Sequence, residues 1–166
     1  SSVALIVEGL AQAMQKRGHT VTVFTATDSE PLEAVLANLR PDVIHAHNIH
    51  NALGYGVLRT ARKATDKIFL TLHDVMSFSY GRLNTARFLN SNDARWRLFD
   101  HLRRAGLRYR PWRNAQIRSI LHKNVQQIFT VSHALQHAAA DNGIADTEVV
   151  YNGIDDSTMP LPGPGL

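Results

Sequence analysis

Four histidines and an aspartate fall at the ends of two short apolar runs. His45, His47 and His50 follow Val43-Ile44, and His73-Asp74 follow Ile68-Phe69-Leu70-Thr71-Leu72. β-Branched and aromatic residues favour strands, and Pro41-Asp42 punctuates the start of the first run. Imidazole can hydrogen-bond, exchange a proton near neutral pH or ligate a metal, so these are the chemistries open to the set. His45 and His47 lie two apart and so face one side of a strand. They fit polar contacts to a ligand, or a His-X-His metal site that would draw on His73 and Asp74. A third reading makes His45 a satisfied core residue that points away. His73 either donates to a ligand or caps the loop that follows, and Asp74 either orients its neighbours or closes an Asx turn. In open parallel sheets ligands bind outside the carboxyl ends of the strands, so two strands that both end in imidazoles imply one shared site.

The elements that must position these residues follow from periodicity. Apolar residues at helical spacing predict helices over 1–17, from a first turn near Pro31 to just before Pro41, and over 52–64, 94–108, 112–124 and 133–141. Strands are expected at 21–25, 43–44, 68–72, 127–131 and 148–150, with 75–92 irregular. Short connections between alternating strands and helices imply a parallel sheet with helical crossovers. Ser132 can cap the helix over 133–141, and its amide end is also where an anion could be held. Asn152-Gly153 reads as a turn after the last strand.

The chain has 166 residues, enough for one domain with a core, and no cysteine, which excludes disulfides and thiolate zinc sites. No apolar run approaches the ~18 residues of a membrane span. The net charge of +4 is unevenly spread: residues 81–123 hold eleven Arg and Lys against two Asp, leaving the rest net acidic. Such an insert suits an anionic partner. Trp96, Phe99 and Leu102 recur at helical spacing, with Arg95, Arg97, Arg103 and Arg104 around them and Trp112 beyond. A basic helix with aromatic anchors fits an anionic membrane surface; the plain alternative is a solvated helical pair packed on the sheet. No nucleic-acid-binding motif accompanies the charge.

Taken in order, the phrases Leu10-Ala11 through Arg17-Gly18-His19-Thr20-Val21-Thr22-Val23, Pro41-Asp42-Val43-Ile44-His45-Ala46-His47-Asn48, Thr71-Leu72-His73-Asp74, Thr130-Val131-Ser132 and Val150-Tyr151-Asn152-Gly153-Ile154-Asp155 resemble the amino-terminal half of GT-B glycosyltransferases of family 4. The resemblance implies an α/β, Rossmann-like parallel sheet flanked by helices, one half of a GT-B fold, spanning 1–156 and followed by a linker at 157–166. It also implies that an opening strand before Ser1 and a second domain after Leu166 are missing, that a neighbouring strand is left unpaired, and that the piece alone is inactive.

By the same resemblance the whole enzyme would be a retaining, hexosyltransferase-like enzyme of polysaccharide biosynthesis. It would move a sugar from a nucleotide-sugar donor to a glycan or lipid-linked acceptor, this half mainly binding acceptor, with no metal or other cofactor. His73 would be catalytic; Asp74, His47, Asn48, Ser132, Asn152 and Gly153 would contact substrate; Arg95, Trp96, Arg103 and Arg104 would meet a membrane or another anion. The location implied is cytoplasmic, peripheral at the inner membrane face where the insert binds lipid. The rivals are a metal-dependent hydrolase using His45, His47 and His73, and a non-catalytic anion- or membrane-binding module.

Overall fold

The computed structural model describes residues 2–50 and 52–153. The chain divides into two compact units, Phe24–Tyr151 and a second made of Ser1–Val23 with Asn152–Leu166. The linker expected at 157–166 lies outside the described residues.

In the smaller unit, helix α1 (Ser2–Lys16) ends as its glycine requires. Gly18 takes φ 89°, and the amide of His19 reaches back to the carbonyl of Met14 at 3.2 Å, closing the last turn. The strand expected at 21–25 is not formed: the alternating valines and threonines are there, but among the described residues no strand pairs with them. β-Propensity describes fit to a half-buried sheet surface and makes no strand without a ladder.

The larger unit is built on four parallel strands in the order β1 (Ile44–His47), β2 (Ile68–Leu72), β3 (Gln127–Thr130) and β4 (Thr147–Val149). Its helices are α2 (Leu32–Leu39), α3 (Val57–Ala64), α4 (Thr85–Ser91), α5 (Leu98–Ala105), α6 (Arg113–Asn124) and α7 (His133–Asp141). A sheet whose strands follow in sequence order, joined by right-handed crossovers, carries those crossover helices on one face. The core agrees. Ile44, Ala46, Ile68, Leu70, Leu72 and Ile128 meet Leu58 and Ala61 of α3, Ile117, Ile120 and Leu121 of α6, and Leu135, Ala138 and Ala139 of α7. Leu58, Ile68 and Leu70 are essentially inaccessible, each stabilising the fold by about 1.5–3 kcal/mol. The alternate residues His45, His47, Phe69, Thr71 and Phe129 line the other face.

Several boundaries differ from expectation, each for a local reason. β1 runs through His47, so the imidazoles belong to the strand rather than to a polar run after it. The helix expected from 52 begins at Val57, because Gly54 adopts φ 71° and its amide turns back to the carbonyl of Ile49. The irregular stretch 75–92 contains α4, capped where Asn84 Oδ1 accepts from the amide of Arg87 at 3.1 Å.

The helix expected over 94–108 shortens to α5 and a 3-10 turn at Gly106–Arg108. Residues 94–96 are held out of it by the end of α7. Asp141 Oδ2 accepts from the amide of Ala94 at 2.9 Å, and Asn142 bonds the amide of Trp96 at 2.8 Å and the carbonyl of Ala94 at 2.9 Å. Asp100 then caps α5 by accepting from the amide of Arg97 at 3.0 Å. Trp96, Phe99 and Leu102 therefore do not share one helical stripe. Trp96 packs against the core, whereas Phe99 and Leu102 stand exposed.

Candidate active site

The register of the sheet brings the histidines together. His47 pairs with Thr71 across β1 and β2, and His73, two residues beyond Thr71, projects from the same side just past the strand end. His47 Nδ1 lies 3.0 Å from His73 Nε2, with ring centroids 5.3 Å apart. One step back along β1, His45 Nε2 lies 2.8 Å from the hydroxyl of Thr71, and the His45 ring sits 4.2 Å from that of His47. Phe69 and Phe129 stack at 6.0 Å and turn their edges and faces toward His45, forming an apolar floor.

This setting keeps the rings neutral. Burial, with His45 and then His73 adding like charge, holds His47 down at about 3. His45 is lowered by the packing of its ring and then by His73. His73 is lowered by burial, against the opposing pull of Asp74. In a neutral pair one ring donates and the other accepts. If His47 Nδ1–H donates to His73, then His73 Nδ1 carries a proton and His47 Nε2 a lone pair; the opposite tautomers exchange those roles. Either way the outer edge of the pair offers one N–H donor and one acceptor.

The backbone aims these groups. Asn48 takes φ 44°, a left-handed conformation that asparagine tolerates better than most residues. That turn ends β1 at His47 and sends Ile49 into the core. Asp74 accepts from the amide of Met76 at 2.9 Å in an Asx turn, and its other oxygen lies 3.6 Å from His50 Nε2. Asp74 makes no hydrogen bond to His73, so the turn reading describes what its carboxylate does. Ser132 caps α7, its Oγ accepting from the amide of Leu135 at 3.2 Å. Because Leu72 is in register with Thr130, Ser132 sits at the same end of the sheet as His73. Asn152 and Gly153 belong to the other unit; they are exposed and neither takes the positive φ of a hairpin-type turn.

Two contributors escape a reading of motifs. Thr71 is buried and bonds His45; its only signal is its position two residues before His73 on an alternating strand. Arg113 belongs by composition to the basic insert, yet it braces the loop after His73. Its guanidinium donates to the carbonyls of Met76 at 2.7 Å and Ser79 at 3.2 Å and stacks 4.7 Å over Tyr80. Arg95 and Arg97 pair with Asp93, and Arg103 and Arg104 lie in the last turn of α5.

A parallel α/β sheet with its polar groups gathered at the carboxyl ends of adjacent strands is a Rossmann-like ligand-binding half. The model of Glycosyltransferase Family 4 matches residues 30–158, and the chain belongs to that family. It is thus a glycosyltransferase-type domain, with sugars as its general substrate class. Comparison with curated proteins and with solved structures returned no match.

Proposed function

We propose that this chain is the acceptor-side half of a retaining glycosyltransferase, and that the His47–His73 pair works on the transferred sugar and its leaving group. The 3.0 Å contact between two neutral rings at adjacent strand ends carries the reading. Departure of a nucleoside diphosphate builds oxocarbenium-like charge on the sugar and negative charge on the leaving oxygen, and a fixed N–H aimed at that oxygen or at a sugar hydroxyl lowers the barrier. His73 supplies the contact; His47 positions it and sets its tautomer. Asn48, Asp74 and Ser132 shape the rim on which an acceptor rests, and Asn152 and Gly153 are assigned to substrate contact from the family resemblance. The donor nucleotide-sugar is held by a second domain, and no metal takes part in this reading.

The test is sugar transfer by the chain joined to its donor-binding half. His73→Ala is expected to lower kcat about 10²–10³-fold with the far-ultraviolet dichroism unchanged. His47→Gln is expected to lower kcat less and leave KM for donor near its starting value. Near-normal turnover in His73→Ala defeats the assignment. A metal-dependent hydrolase at the same histidines is less well supported: Thr71 occupies His45 Nε2, and among the described residues no three His, Asp or Glu side chains converge as a ligand set. A stoichiometric transition metal lost on His47→Ala would reverse that ranking.

The surface of α5 supports an acceptor presented at an anionic membrane. Leu98, Phe99 and Leu102 of α5 are exposed, followed by a fully exposed Leu107 and an exposed Trp112, among Arg103, Arg104, Arg108 and Arg110. Apolar side chains left in water beside arginines with no carboxylate partner among the described residues suit the interface of an anionic bilayer. Among the described residues no helix is long and apolar enough to cross one, so the association proposed is peripheral.

A further inference from the structure

Away from the strand ends, a groove of about 610 Å³ runs between the start of α5, the middle of α6 and the end of α7. Arg95, Arg97 and Arg118 line it together with Trp96, His101 and Asn142. Arg95 meets Asp93 through Nε and Arg97 through one terminal nitrogen, so both keep guanidinium N–H groups without an acceptor among the described residues. Arg118 has no carboxylate partner among the described residues; its contact is the carbonyl of Asn142 at 3.4 Å.

Arg118 is nonetheless built into place. It lies across Gly143, where an added Cβ would stand 2.9 Å from its Cδ and where φ is 85°, so a side chain there would evict it. Behind this wall Trp96 Nε1 and His101 Nδ1 are buried, without a partner among the described residues, their rings 5.2 Å apart. Indole N–H can only donate. That N–H has no surface in the groove, so the excess of donors and positive charge there is that of Arg95, Arg97 and Arg118, and Asp141, the acid within it, already accepts from the amide of Ala94. A ligand that completes it has several acceptor oxygens, negative charge and no need to donate.

We propose that this groove binds a phosphate group, held by Arg118 with Arg95 and Arg97 across it. Charge-assisted, forked guanidinium contacts are the usual means of holding such an anion. The phosphate could belong to a free metabolite or to a lipid headgroup, since the exposed face of α5 begins at the groove's edge. The site is separate from the histidine pair and does not depend on what that pair does.

The experiment uses the Trp112→Phe chain, in which Trp96 is the remaining tryptophan. Inorganic phosphate is titrated against its emission at constant ionic strength set with chloride, and phosphatidylcholine vesicles with and without phosphatidic acid are tested by flotation. Saturable, Arg118-dependent binding in either arm supports the site, and the arm that responds names the source. Arg118→Gln is expected to weaken binding at least about tenfold, Arg118→Lys to restore part of it, and Arg62→Gln, on α3 and outside the groove, to change either arm little. Melting curves of each variant establish that it is folded; if Arg118→Gln is not, Arg95→Gln takes its place. Equal responses to phosphate and chloride together with equal flotation on the two kinds of vesicle, or equal losses in Arg118→Gln and Arg62→Gln, overturn the proposal.

Discussion

Asn48 holds φ 44° with no side-chain hydrogen bond among the described residues to account for its identity, so what it contributes is the left-handed turn that stops β1 one residue after His47. A β-branched residue pays most for that conformation. Asn48→Val is expected to lower unfolding free energy by about 1–2 kcal/mol, whereas Asn48→Gly should leave it near its starting value, as chemical denaturation would show. If the two variants are equally stable, the turn is not what the residue is for. Much of this site was legible from residue types: a period of two places His45 and His47 on one side, and two strands ending in histidine imply convergence. Which nitrogen meets which partner was not, because that depends on the register of β1 on β2 and on χ angles.

At the scale of elements, hydrogen bonds between distant segments redrew the boundaries that periodicity suggests. Residues 94–97 have helical spacing and good helix formers, yet Asn142 and Asp141 take the backbone groups a helix would need. Asn142→Ala strands the buried amide of Trp96 and carbonyl of Ala94, and should cost about 1–3 kcal/mol in a denaturant titration. An unchanged midpoint would mean that water replaces the amide without loss. Arg113 illustrates the same limit. By charge it belongs with the other arginines of the basic insert, and only its position at the start of α6 turns it toward the carbonyls of Met76 and Ser79.

Across the whole molecule, the lowered histidines couple stability to pH. His47 titrates at about 3 when folded against an ordinary 6.5, and His45, His73 and His101 shift in the same direction. Between those values the unfolded chain binds protons that the folded chain refuses, so stability rises with pH there. Stability is expected to be complete above about pH 6.5 and to fall toward pH 3, less steeply in His47→Gln than in the parent. Parallel melting curves for the two across that range would remove burial of His47 as the cause. At the surface, flotation with anionic vesicles should weaken in Arg103→Glu/Arg104→Glu and at raised salt, since screening acts over ~8–10 Å; binding indifferent to both would discard the membrane reading.

Local order alone determined the parallel α/β class, the strand cores at 44 and 68–72, the cap at Ser132 and the concentration of positive charge in 81–123, since each rests on propensity, spacing or composition within a few residues. Tertiary structure decided that 21–25 forms no ladder, that Trp96 turns inward while Phe99 stays out, and that three neutral imidazoles and a threonine close into one cluster. Those outcomes depend on which distant backbone and side-chain groups meet, and a one-residue slip of β1 on β2 would have sent His45 and His47 to the opposite face.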